Sequence, residues 1–269
     1  MKASTRTGAC PLCKRDGQVL QNSHYHPAAV YRVLREETKA NPNPLKLTKR
    51  GVLQDSLQVT DYLLCWDCEQ RFNKNGENWF LAHCWRRGEF RLASILDSAT
   101  PQPTGPATQT LIYHAARILG PGLNALPYFA ASMFWRASAH RWQGTKGIAL
   151  GLYEEQFRRY LMGEAQFPSG CALLVYVPPN EPLLAGLVLS PYGGRREQYH
   201  LWKLPVLGVT FHLLVGTQTP PALRARCFVR GQGNPIHRTD LAEKCTMDDL
   251  KLMFGKYPRL LQGPKGHAS

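Results

Sequence analysis

The sequence predicts an α+β fold in two parts, and three observations carry that prediction. Cysteines occur as two Cys-x-x-Cys pairs, Cys10/Cys13 and Cys65/Cys68, near the N-terminus. Residues 109–161 place apolar side chains three and four apart, the period of helices that bury one face. From Cys171 onward, short β-branched or aromatic segments are bounded by Pro, Gly and Asn, as in an antiparallel sheet. A stapled N-terminal domain followed by a helical layer packed on an antiparallel sheet satisfies all three.

The first domain is expected over residues 1–97. Within it, Pro27–Thr38 reads as a helix, with Pro at the first turn and Val30, Val33 and Leu34 on one side. Residues 51–64 suggest a short strand or hairpin leading into Cys65. The run after Cys68 reads as a helix broken near Asn75-Gly76 and then resumed. Residues 98–108, where Pro, Thr, Ser and Gly replace periodic sequence, read as a linker.

The second domain, residues 109–269, opens with expected helices at Gln109–Leu119, Tyr128–Trp142 and Tyr153–Leu161. In the third, Glu154 and Glu155 are spaced to pair with Arg158 and Arg159 one turn on. Strands are expected at Cys171–Val177, Leu183–Leu189, Gln198–Val206 and Gly208–Gly216, with Gly193–Arg196 as a hairpin tip. A last helix is expected over Asp248–Leu261, with a basic tail after it.

Composition narrows the partners. Of 269 residues, 43% are hydrophobic and 19% charged, enough for a packed core and too few charges for extensive disorder. The formal charge is +14, divided as +5 over residues 1–100 and +9 over the rest. A basic field on both halves favours polyanions, nucleic acid first, although positive charge also serves solubility alone. No apolar stretch approaches the roughly 20 residues of a membrane span. Met1–Arg6 is not followed by a signal-peptide core. The expectation is a cytoplasmic protein without a membrane segment.

Two thiolates separated by two residues grip one metal from a tight turn, and two such turns complete a tetrahedron. Cys10, Cys13, Cys65 and Cys68 are therefore expected to bind one structural Zn²⁺, since four thiolates leave no open coordination position. Without a secretion signal the eight cysteines do not suggest a disulfide framework. Cys84, Cys171, Cys227 and Cys245 read as packed thiols.

Between the two pairs lies Ser23-His24-Tyr25-His26-Pro27, and Leu64 introduces the second pair, which runs on into Glu69. This order (Cys-x-x-Cys, a strand with His near Pro, Leu-Cys-x-x-Cys, a helix) resembles the zinc-stapled branch of the HNH endonucleases over residues 8–80. The resemblance implies a ββα-metal fold and a metal-dependent DNA endonuclease, by analogy in bacterial defence. It places His24 as the general base and Glu69 as a ligand of catalytic Mg²⁺ or Mn²⁺, with His26 as a further ligand or phosphate contact. Ser23 stands where the family commonly has a metal-binding Asp or His, and Thr60 and Asp61 stand near its usual Asn. The whole chain also resembles a loose group of bacterial proteins sharing Ser-His-x-x-Pro, Cys-Glu and a later Trp-Arg-Ala, here Trp135-Arg136-Ala137.

Further basic clusters fit nucleic acid. Arg71, Arg86, Arg87 and Arg91, interleaved with Phe72, Trp79 and Trp85, suit a phosphate backbone or a solvated helix face. Trp135 and Trp142 fit a core between helices and sheet, and Arg224–Arg238 is the most basic loop outside the first domain. The alternative to a nuclease is a non-catalytic zinc-binding module that contacts nucleic acid or a protein partner.

Overall fold

The computed structural model describes residues 6–37, 45–48, 51–54, 58–102, 110–179 and 186–254. Strands β1 (Arg6–Gly8) and β2 (Gln18–His24) form an antiparallel pair. The chain then runs through helix α1 (Ala28–Glu37) and the hairpin β3 (Leu45–Thr48) and β4 (Gly51–Gln54), and returns as β5 (Thr60–Cys65) on the free side of β2. Pro27 sits just ahead of α1, and Val30 and Val33 are buried as the sequence period requires.

Cys65 ends β5 and caps helix α2 (Trp66–Phe72). The expected break at Asn75-Gly76 is instead a π-helical turn, Asn73–Glu77, which joins α2 to α3 (Asn78–His83). Close packing explains it. A Cβ on Gly76 would lie 2.8 Å from the backbone nitrogen of Phe129, so only glycine admits the neighbouring helix at this distance. A tight hairpin, β6 (Trp85–Arg86) and β7 (Glu89–Phe90), then leads into α4 (Arg91–Asp97). Its turn residues Arg87 and Gly88 both have positive φ, 53° and 76°.

Of the expected linker, residues 103–108 lie outside the described residues, and Gln102 bridges to Ile112. The segment expected as helix at 109–119 is strand β8 (Leu111–His114) followed by a 3₁₀ turn, Ala115–Arg117. Leu111-Ile112-Tyr113 is a continuous apolar run that serves a strand as well as a helix, and pairing with a distant strand decides the outcome. Helix α5 (Gly122–Ala139) starts earlier than its apolar period suggests and carries Pro127 within it. Helix α6 (Tyr153–Met162) matches its expectation. Its charges pair differently: Arg158 takes Glu155 at 2.8 Å and Glu164 at 2.9 Å, while Glu154 accepts from Ser138 at 2.5 Å.

Strands β9 (Cys171–Val177), β10 (Tyr192–Arg195), β11 (His200–Val206) and β12 (Val209–Val215) follow, then α7 (Pro221–Ala225), β13 (Pro235–Arg238) and α8 (Leu241–Phe254). The main sheet has the order β10-β11-β12-β9-β13-β8. It is mixed rather than wholly antiparallel: after β12 the chain crosses by way of α7, and β13 runs parallel to β9. Gly193-Gly194 lies inside β10, not at the tip, which falls at Arg196–Tyr199. Of the expected strand 183–189, residues 183–185 lie outside the described residues, and Val188 makes one bridge to Val206. The last helix begins seven residues earlier than expected, at Leu241, and residues 255–269 lie outside the described residues.

One apolar core runs from Cys10 and Leu12 through Phe72, Phe80, Phe129 and Trp135 to Phe211 and Ile236. Residues before and after the linker therefore share it. Phe80 stacks on Phe129 at 3.9 Å, and both meet Phe211 of the main sheet. Trp135 and Trp142 are core, and Cys84, Cys171 and Cys227 are packed thiols, whereas Cys245 is exposed on α8. The basic loop 224–238 is largely spent on bracing. Arg230 donates to the carbonyls of Phe167, Pro168 and Cys171, Arg224 to that of Ser169, and buried Arg238 pairs with Asp97. Among the described residues no helix is long and apolar enough to cross a membrane.

Candidate metal centre

Cys10 and Cys13 occupy the turn between β1 and β2. Lys14 adopts φ 62° there, which lets its N–H reach the Cys10 carbonyl at 2.8 Å and lets the Cys10 N–H reach the Arg15 carbonyl at 3.0 Å. Cys65 pairs across the sheet with Leu20, and Cys68 lies one turn into α2. Sheet register and helix start thus bring together sulfurs that are 52 residues apart in the chain.

The four sulfurs lie within 4.8 Å of one another, and those of Cys13 and Cys65 are 3.8 Å apart. A tetrahedral metal about 2.3 Å from each sulfur spaces its ligands by about 3.8 Å. The group could therefore hold a metal ion, and its geometry is compatible with structural zinc. Its surroundings suit thiolates. The Cys65 N–H donates to the Cys10 sulfur at 3.4 Å, and the Arg15 guanidinium reaches the sulfurs of Cys13 at 3.4 Å and Cys65 at 3.9 Å. Asp67 holds that guanidinium at 2.6 Å. The Cys10 thiol is drawn down to about 4 because Cys68 donates a hydrogen bond to it, and the same sharing pushes Cys68 up.

Beside this cage the strand–helix junction gathers the other residues singled out from sequence. His24 is half-buried at the end of β2, opposite Thr60, and Ser23 faces Asp61 in the register. Burial lowers the pKa of His24, opposed by a hydrogen bond with Gln58 and by the charge of Glu69. Glu69 sits in α2 with its Oε1 buried and without a hydrogen-bond partner. His26 is 6% exposed, packed against Tyr25 and Tyr31, and burial pushes it down to about 3; its Nδ1 also lacks a partner. Ser23 is structural: its Oγ accepts the Leu64 N–H at 3.1 Å.

Two further polar pairs belong to this junction. Glu77, in the π turn, accepts from Arg136 of α5 at 2.7 Å, with both side chains buried. Burial raises Glu77 while Arg136 pulls it down, and Arg136 also lies over the Phe72 ring at 4.6 Å. The field of Arg136 lowers both His24 and His26. His140, just past α5, meets Asp61 at 2.9 Å and holds its carboxyl below the usual range. In the sequence Glu77 and His140 carry no signal of this role, and Arg136 stands out within Trp135-Arg136-Ala137. A signal existed for Arg136, the one charge in an otherwise uncharged α5.

The four arginines suited to a phosphate backbone are differently placed, with Arg91 at the start of α4. Arg71 is half-buried and donates to the Met162 carbonyl at 3.2 Å, beside the cage. Arg86 and Arg87 are exposed on the β6–β7 hairpin. Compared with family models, with curated proteins and with solved structures, the chain finds no match.

Proposed function

We propose that the four cysteines hold one structural zinc ion, and that the strand–strand–helix unit they staple is the catalytic part of a metal-dependent DNA endonuclease of HNH-like type. The observation that carries this reading is that the charge of Glu69 on α2 acts on His24 on β2. The two sit on the elements that the cage clamps, and the Glu69 carboxylate carries a buried oxygen without a partner. Glu69, with the orphaned Nδ1 of His26 two residues beyond His24, would hold a Mg²⁺ or Mn²⁺. Such an ion polarises a scissile phosphate. His24, neutral at pH 7 because burial disfavours its charged form, accepts a proton from the attacking water. Exposed Arg86 and Arg87 would contact the DNA backbone.

A second reading, a non-catalytic zinc module that binds nucleic acid or a protein partner, is favoured by the tight packing of His26 between tyrosines and by the internal Glu77–Arg136 pair. Plasmid nicking with Mg²⁺ or Mn²⁺ separates the two. The endonuclease reading expects nicking by the wild type and a loss of at least about 100-fold in His24→Ala and Glu69→Gln. No nicking with either ion, with DNA retention intact, supports the second reading.

A further inference from the structure

A separate cleft of about 730 Å³ opens between α4 and β8, away from the cysteine cage. Its size falls in the range of small-ligand sites, about 300–1,000 Å³. One wall is a single face of α4, on which Arg91, Ser94, Ile95 and Ser98 recur at helical spacing. The other wall is β8 and the 3₁₀ turn after it, which contribute His114 and Arg117. His83 at the end of α3 adds a second imidazole.

The lining has one sign of charge. Two guanidiniums and two imidazoles face the space, and no carboxylate lines it among the described residues. The nearest acid on α4, Asp97, is turned to Arg238 at 2.5 Å and so leaves the cleft's charge intact. Ser94 and Ser98, uncharged, donate hydrogen bonds to the carbonyls of Phe90 and Ser94. Such a field, walled by protein, concentrates a dianion. The fork of an arginine guanidinium suits the geometry of a phosphate, and the lining supplies two.

A phosphate alone would fill only a small part of this volume. Ile95, Ala99, Ile118 and the buried Tyr113 supply apolar lining, and Thr100 and Gln102 add uncharged polar groups. At one end the His83 ring stacks on Trp79 at 4.0 Å with an interplanar angle of 10°. The Trp79 carbonyl accepts from His83 Nδ1 at 2.7 Å, which fixes the ring's orientation and leaves Nε2 as its other polar atom. A held aromatic pair beside a cationic lining fits a base next to its phosphate.

We propose that this cleft binds a nucleoside 5′-monophosphate unit, with Arg91 and Arg117 on the phosphate and the His83 end taking the base. The unit is either a free mononucleotide or the 5′-terminal nucleotide of a strand. The proposal stands without the endonuclease reading, because binding here needs no divalent ion and uses none of its residues.

Isothermal titration of the full chain at fixed low salt, without added divalent metal, tests it. The probes are thymidine 5′-monophosphate, thymidine, inorganic phosphate, and a ten-residue oligothymidylate with and without a 5′-phosphate. Saturable one-site binding of thymidine 5′-monophosphate is expected, with thymidine and inorganic phosphate each at least about tenfold weaker. Arg91→Ala and Arg117→Ala should each weaken it about tenfold. Arg195→Ala, an exposed arginine outside the cleft, should leave it unchanged, and circular dichroism should show all three variants folded. If the 5′-phosphorylated oligonucleotide binds at least as tightly with the same arginine dependence, the site takes a strand end; if only the mononucleotide binds, it takes the free ligand. The proposal is overturned if neither phosphorylated probe binds saturably. It is equally overturned if inorganic phosphate binds as well as the nucleotide, or if the arginine substitutions have no effect.

Discussion

Glu77 and Arg136 illustrate how single residues decide the interior of this protein. Their ion pair, 2.7 Å long, is buried on both sides and joins the π turn to α5. Removing one partner leaves the other charge stranded, which typically costs about 3–5 kcal/mol. Glu77→Ala should therefore destabilise strongly in urea unfolding, while the double change Glu77→Leu with Arg136→Met should recover most of the loss. The buried histidines make a different prediction. His26 and His212 are both pushed down to about 3 by burial, against an ordinary value near 6.5. Each binds a proton in the unfolded chain before it does so in the folded one. Stability is therefore full above about pH 6.5 and falls as the pH drops from there toward about 3. Urea midpoints measured across that window should decline, and His212→Phe should flatten the decline by about one proton.

At the scale of elements, the junctions matter more than the helices and strands themselves. The α2–π turn–α3 unit is continuous because Gly76 lets α5 approach the turn, with Phe129 nitrogen 2.8 Å from where a Cβ would sit. Gly76→Ala should lose roughly 1–3 kcal/mol despite alanine's better helix propensity, and the thermal midpoint will show it. This element also marks the limit of what sequence makes legible. Helices α1 and α6 and strands β9, β11 and β12 are written locally, in apolar periods and in Pro or Gly boundaries. So are the four sulfurs, whose spacing alone announces a common site. The strand identity of β8 is not local, because Leu111–His114 becomes a strand only when β13 lies beside it. Nor is the parallel β9–β13 pair, which depends on how the chain crosses after β12. Glu77 and its partner stand 59 residues apart, and their meeting depends on the packing of α5 against the turn. Neither residue type nor spacing near Glu77 encodes that meeting.

Across the whole molecule, the cage and the shared core pull in the same direction. Arg158 of α6 donates to the carbonyl of Leu12 between the first two cysteines, at 2.8 Å, and His140 beyond α5 reaches Asp61 on β5. Phe80 and Phe129 stack at the centre. A metal on the four sulfurs closes a 52-residue loop within this framework. By the chain-entropy relation for cross-links, closing such a loop contributes about 4 kcal/mol. Stripping the metal with a strong chelator should accordingly lower the melting temperature by roughly 10 °C. The most direct measurement is the metal content of the purified protein, taken together with that of Cys10→Ser and Cys68→Ser. One zinc per chain in the wild type, falling to near zero in both variants with a matching drop in melting temperature, is the predicted result. A metal-free wild type that melts as high as the zinc-supplemented protein would contradict the account.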